Sequence, residues 1–358
     1  MHYIFLVHGM GNGWTEDAEE IVKRHYKKES YGFLADSWPF DKYFKLETVD
    51  FNAVFEEYLA QAKEQGDKLE QWPGLKGGLQ SGLINALGRI VDLAKTDPNK
   101  NNFAVTHLAD VALYMATNLG ELVKNEIMKK MTTYLAEQNF SAKRGDKWSV
   151  IAHSLGTRVM TDVLHLGFST QPGLRNYGKA EVLMMVANVS KLLQELPPWS
   201  GGNVYETQVY PSAGPLGACW NFINATHTLD PFAIIHEFDP PPDFGDGYAF
   251  IDQVYHGMRL AMADTTSKEV HSFEHYMEHP DVHTALFRYL VSRKGKAGPT
   301  NKEMEEARRV YRLNTLGAEL TKDLREKLDA LKQPWSDKYE DQFAAMFDIW
   351  EEYGELIK

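Results

Sequence analysis

The chain opens on an unbroken apolar run, Tyr3-Ile4-Phe5-Leu6-Val7, which stops at His8-Gly9-Met10-Gly11. A short run that is apolar at every position and closed by glycine predicts a parallel strand, buried on both faces, that feeds a loop. A second apolar run spans 182–189, 147–152 and Cys219 to Ile223 read as further strands, and 253–263 is compatible with a last strand. Between these runs the spacing changes to that of helices. Residues 15–29 read as helical, and 40–52 alternate between strand and loop character. Residues 53–95 have helical periodicity, broken at Trp72-Pro73-Gly74 and Gly77-Gly78, and predict a helical insertion. Over 107–138, Leu108, Val111, Ala112, Met115 and Leu119 share one face, and Ile127, Met131 and Leu135 share one further on. Residues 280–292 read as a helix with Pro280 in its first turn. The segments 191–218 and 238–247 are rich in Pro and Gly and predict irregular structure.

Strands alternating with helices predict an α/β fold, a mainly parallel sheet flanked by helices. After Pro299 the composition shifts to a charged, leucine-rich tail. Leu313, Leu316, Leu320, Leu324, Leu328 and Leu331 form a stripe, and Phe343, Met346, Phe347, Trp350 and Tyr353 form an aromatic face in the final segment. The expected organisation is a body over 1–295 and a helical extension over 300–358. The extension packs on the body or forms a homodimer contact.

Candidate chemistry concentrates in Trp148-Ser149-Val150-Ile151-Ala152-His153-Ser154-Leu155-Gly156. A strand runs into Ser154, which has small residues two positions before and after it, and a helix-compatible stretch follows. This is the setting of a nucleophile elbow, a strained turn that lifts a serine hydroxyl clear of the backbone. Alanine stands at 152 where glycine is usual, adding one methyl group. The His8-Gly9-Met10-Gly11 loop supplies the second signal. Negative charge developing on an acyl oxygen needs fixed N–H donors, and the pattern assigns the main-chain N–H groups of Met10 and Leu155. Gly9, Gly11 and Gly13 do not match dinucleotide spacing, because Trp14 stands where the last glycine would be.

These motifs resemble the α/β-hydrolase superfamily, and within it intracellular lipase- and esterase-like serine hydrolases. The match is specific over 3–13 and 147–159 and looser over 180–290. The resemblance implies a Ser-acid-His order along the chain. Asp230, in the Asp230-Pro231 pair after a late strand, is then the acid, with Asp252 and Asp264 as weaker choices. His271 lies between the last strand and the helical region of 276–290 and is the preferred base, with His275 as the alternative. His8, Gly9 and His153 are candidate substrate contacts. The implied reaction is hydrolysis of a carboxylic ester or related acyl compound, small or lipid-like. The alternatives are an acyltransferase or thioesterase using the same residues, and a non-catalytic interaction module. No cofactor is implied.

His275, His279 and His283 recur every four residues, a spacing that invites a metal site. Pro280 disfavours helical geometry at His279, so none is assigned. The sequence has 38 basic and 50 acidic side chains, a net charge of −12. That balance disfavours nucleic-acid binding, and only Arg158 near the site could compensate an anionic substrate. No apolar run is long enough for a transmembrane segment. The N-terminus lacks a signal-peptide pattern, and the single Cys219 cannot form an internal disulfide. The expected location is the cytoplasm.

Overall fold

The apolar runs form one sheet. Its strands are β1 (His2–Val7), β2 (Phe44–Val49), β3 (Lys147–His153), β4 (Ala180–Val186), β5 (Cys219–His227), β6 (Tyr248–Phe250) and β7 (Gln253–Met262). The helices that matter for the site are α1 (Trp14–Tyr26), α2 (Phe40–Tyr43), α3 (Leu119–Glu137), α4 (Leu155–His165), α5 (Phe273–Glu278), α6 (Pro280–Val291) and α7 (Asn301–Arg312). The computed structural model describes residues 1–9, 14–26, 38–55, 57, 114, 119–170, 173–190, 217–230, 232–233, 248–250, 253–267, 269–291, 299–315, 322 and 325–326. Nearly all of the 53–95 insertion, the first part of 107–138, the irregular segments 191–216 and 238–247, the leucine stripe beyond 315 and the aromatic face of the last segment lie outside these residues.

The strand order is β2-β1-β3-β4-β5-β7-β6. All neighbours from β2 to β7 are parallel, and only β6 runs antiparallel, on β7. The class is therefore α/β with a mostly parallel sheet. The continuous apolar runs are explained by cover on both faces. Tyr3, Phe5 and Val7 point to one core with Trp148, Val150, Ala152 and the inner faces of α3 and α4. Ile4 and Leu6 point to the other, with Ile151, Val182, Met184, Ile223 and residues of α1, α5 and α6. Full burial of a side chain such as Phe5 or Ile4 stabilises by roughly 1.5–3 kcal/mol.

Several boundaries differ from expectation. The strand expected over 182–189 ends at Val186, because Ala187 takes a left-handed φ of 49° and turns the chain out of the sheet. The helical region of 276–290 is two helices. His279 has extended geometry, ψ 125°, between them, because Pro280 excludes the helical conformation before it. The tail begins as α7, capped at Thr300 by a reciprocal Thr300–Glu303 capping box. It packs on α6 and buries Ala307 and Tyr311. Leu313, first of the expected leucine stripe, is instead 73% exposed at the end of α7. No helix among the described residues is long and apolar enough to cross a membrane.

Parallel pairing has one consequence for function. Val7 pairs with Ala152, His153 with Val186, Val186 with Ala225 and His227 with Met262. The segments that follow β1, β3, β5 and β7 therefore emerge along the same edge. From β1 the chain moves outward to β2, and from β3 it moves the other way to β4. The β1/β3 boundary is thus a topological switch point, where open α/β sheets place their ligands.

Candidate active site

Ser154 leaves β3 at this switch point. Its φ of 53° and ψ of −128° are rare for a residue with a side chain and cost about 1–3 kcal/mol. The surrounding bonds hold the turn. Ser154 N–H donates to the Val186 carbonyl at 3.0 Å, and the Thr157 N–H and hydroxyl donate to the Ser154 carbonyl at 2.9 and 2.6 Å. Two glycines allow the close approach. A Cβ on Gly156 would lie inside contact distance of the Val7 and His8 carbonyl oxygens, and one on Gly9 would sit 2.8 Å from Ser154 Cβ. The methyl group of Ala152 is accommodated, fully buried, in the core with α4.

The strand ends bring three predicted residues together. Ser154 Oγ lies 2.8 Å from His271 Nε2. His271 Nδ1 lies 2.9 Å from Asp230 Oδ2 and 3.0 Å from Oδ1. A carboxylate facing Nδ1 places the ring proton there, which leaves the Nε2 lone pair toward the serine hydroxyl. Asp230 is fully buried. Burial pushes its carboxyl pKa up. The His271 charge and the hydrogen bonds from His271, Tyr276 and the Phe232 N–H outweigh that and hold it below the ordinary value. The Phe232 ring closes against His271, centroids 4.8 Å apart.

Leu155, the first residue of α4, is almost fully buried, and its N–H lies in the first turn, where backbone donors lack helical partners. Met10, the other expected N–H donor, lies outside the described residues. Gly9 borders Ser154.

His8 and His153, expected to contact substrate, are turned into the protein. His8 is 1% exposed, stacks on Phe51 and has Nε2 3.0 Å from Asp50 Oδ1. His153 Nε2 donates to the His271 carbonyl at 2.7 Å, and its ring packs on His271 and Phe273. It braces the loop that carries His271. Arg158 is buried and bonded to Asp162 Oδ2 at 3.0 Å, so its charge is already neutralised one turn along α4.

The alternative base, His275, is placed elsewhere. Its Nε2 faces Thr265 Oγ1 at 3.4 Å, and its ring packs against His227 at 5.2 Å. Burial, then the neighbouring His227 and His279, push its pKa down to about 3. His279 and His283 do not join it around one point. His279 Nδ1 accepts from the Asp281 N–H, and His283 Nδ1 donates to the Met277 carbonyl at 2.7 Å. Asp264 uses its carbonyl, not its carboxylate, to accept from His227 Nε2 at 3.1 Å, and Asp252 lies outside the described residues.

One contributor escaped the sequence reading. The Tyr276 hydroxyl donates to Asp230 Oδ2 at 2.7 Å. The two residues are 46 positions apart, and no motif marks the tyrosine.

Comparison of the chain with protein-family models, with curated proteins and with solved structures gave no match.

Proposed function

We propose that this chain is a serine hydrolase of α/β-hydrolase type that cleaves a carboxylic ester or related acyl compound. The observation that carries the reading is the continuous chain of hydrogen bonds Asp230–His271–Ser154 at the switch point, ending on a serine in a strained turn. A buried carboxylate, an imidazole with its free lone pair on a hydroxyl, and backbone donors at the following helix have the requirements of acyl transfer. The strand order supports it as well. The loops after β1, β3, β5 and β7 carry, in turn, the glycine loop, the serine, the acid and the histidine.

His271 Nε2 takes the Ser154 proton as Oγ attacks the acyl carbon. The oxygen gains negative charge and accepts from the Leu155 N–H and, as the resemblance implies, the Met10 N–H. Asp230 stabilises the imidazolium. That ion gives its proton to the leaving alcohol, and the acyl group stays on Oγ. Water then gives a proton to His271 and its oxygen to the acyl carbon, releasing the acid and restoring Ser154. Cytoplasmic action fits the single cysteine of the sequence, Cys219, which is buried.

Labelling by a fluorophosphonate ester tests the reading. The expected result is one adduct, on Ser154 in peptide mapping, absent in Ser154→Ala and strongly slowed in His271→Ala but not in His275→Ala. Ester turnover by Ser154→Ala should fall about 10⁶-fold, as in other such triads. An unlabelled wild type would instead support the non-catalytic interaction module.

A further inference from the structure

A bare carboxylate–imidazole–hydroxyl chain leaves open what holds the carboxylate. Asp230 has no exposure to water, so donors must replace its hydration. Oδ1 accepts from the Phe232 N–H at 3.0 Å and lies 3.4 Å from the Ala233 nitrogen, both local to its own turn. Oδ2 depends on a distant group, the fully buried Tyr276 phenol at 2.7 Å.

The direction of that bond is fixed by a second one. The His227 backbone N–H donates to the Tyr276 oxygen at 3.0 Å. The phenol oxygen is therefore already an acceptor, and its single proton is directed to Asp230. Tyr276 is on α5, five residues after His271, and His227 ends β5, three residues before Asp230. One hydroxyl thus ties the helix after the histidine to the strand before the acid.

We propose that Tyr276 is a positioning residue for the Ser154–His271 pair, acting through Asp230 and setting how much of that carboxylate's charge faces His271 Nδ1. The proposal rests on the serine-hydrolase reading. A strong donor on Oδ2 draws charge away from the side facing Nδ1. Without it more of the carboxylate's charge faces Nδ1, and Asp230 becomes a stronger partner for the imidazolium.

The other groups facing this unit come from several elements. Ser154 and His153 stand at the end of β3, Asp230 and His227 at the end of β5, and His275 beside Tyr276 on α5. Burial, more than any neighbouring charge, holds His227 and His275 below their ordinary range, so both are neutral near neutral pH.

The test is the rate of Ser154 labelling by a fluorophosphonate ester, followed by intact mass as the pH is lowered from neutral. In wild type the rate falls on the acid side. In Tyr276→Phe this acid limb moves to higher pH by about half a unit, and the rate at a pH on the limb falls by up to about threefold. Replacing Tyr276 alone by 3-fluorotyrosine, a stronger donor of the same shape, moves the limb to lower pH. That substitution decides the matter even if Tyr276→Phe fails to fold. If Ser154 is labelled but the limb is the same in all three proteins, with only the melting temperature changed, Tyr276 is structural and the proposal is overturned. If wild type is not labelled at Ser154, the hydrolase reading fails and takes the proposal with it.

Discussion

Ser154 holds a conformation that suits glycine, while the proposed chemistry needs its hydroxyl. Removing the hydroxyl and removing the strain can be separated. Ser154→Gly should be more stable than Ser154→Ala by about 1 kcal/mol, read from urea unfolding midpoints, while neither is labelled. Equal stability would mean that the turn carries no strain. Gly156 presents the opposite constraint. Any side chain there meets the Val7 and His8 carbonyl oxygens, at the end of β1 and just after it, where the backbone is fixed by the sheet. Gly156→Ala should cost about 3 kcal/mol through overpacking, visible as a lower melting temperature. Gly145, with open space around its missing Cβ, provides the control for crowding, although its φ of 84° adds a strain of its own.

At the scale of elements, α5 and the residue that joins it to α6 carry buried histidines. His275 and His279 are buried as neutral rings, their pKa values pushed from 6.5 down to about 3 and about 4, in each case first by burial. Between the ordinary value and these, the unfolded chain binds protons that the folded chain does not. Stability is therefore lost as pH falls from about 6.5 toward 3, by up to about 1.4 kcal/mol per pH unit for each such histidine. Asp230 adds a loss in the same direction only below about 3.8, because its folded value lies under the ordinary one. His275→Leu should flatten the fall in melting temperature between neutral pH and pH about 4. An unchanged slope would place the acid sensitivity in other residues.

At the scale of the molecule, α7 bears on the site although it lies far along the chain. Tyr311 packs on His279, ring centroids 4.8 Å apart, and its hydroxyl donates to the Asp264 carbonyl at 3.2 Å. That same carbonyl accepts from His227, whose N–H holds Tyr276. Arg308 pairs with Asp281 on α6, its Nε donating at 2.6 Å. Tyr311→Ala should lower stability by about 2–3 kcal/mol and also slow Ser154 labelling, because it loosens the ring of contacts behind Asp230. Loss of stability with full labelling rate would confine α7 to a structural role.

The residue order alone determined the elements near the site. Apolar runs such as 3–7 and 182–189, closed by turn residues, are most stable in a sheet covered on both faces, and Ala152-x-Ser154-x-Gly156 between strand and helix leaves few other conformations for the turn. Ser154, Asp230 and His271 were legible because parallel strands bring successive C-terminal ends to one edge, so the chain order of the loops anticipates their meeting. The sequence preferred His271 to His275 only through its place before the last helical region. The two lie four positions apart in similar surroundings, and only packing decides which ring faces Ser154 and which faces Thr265. Nor could it assign His8 and His153, since a histidine beside a nucleophile reads the same whether it meets substrate or a backbone carbonyl. Tyr276 was invisible for a related reason. Its bond to Asp230 exists only because α5 folds back over the end of β5, and local sequence carries no trace of a partner that tertiary packing supplies.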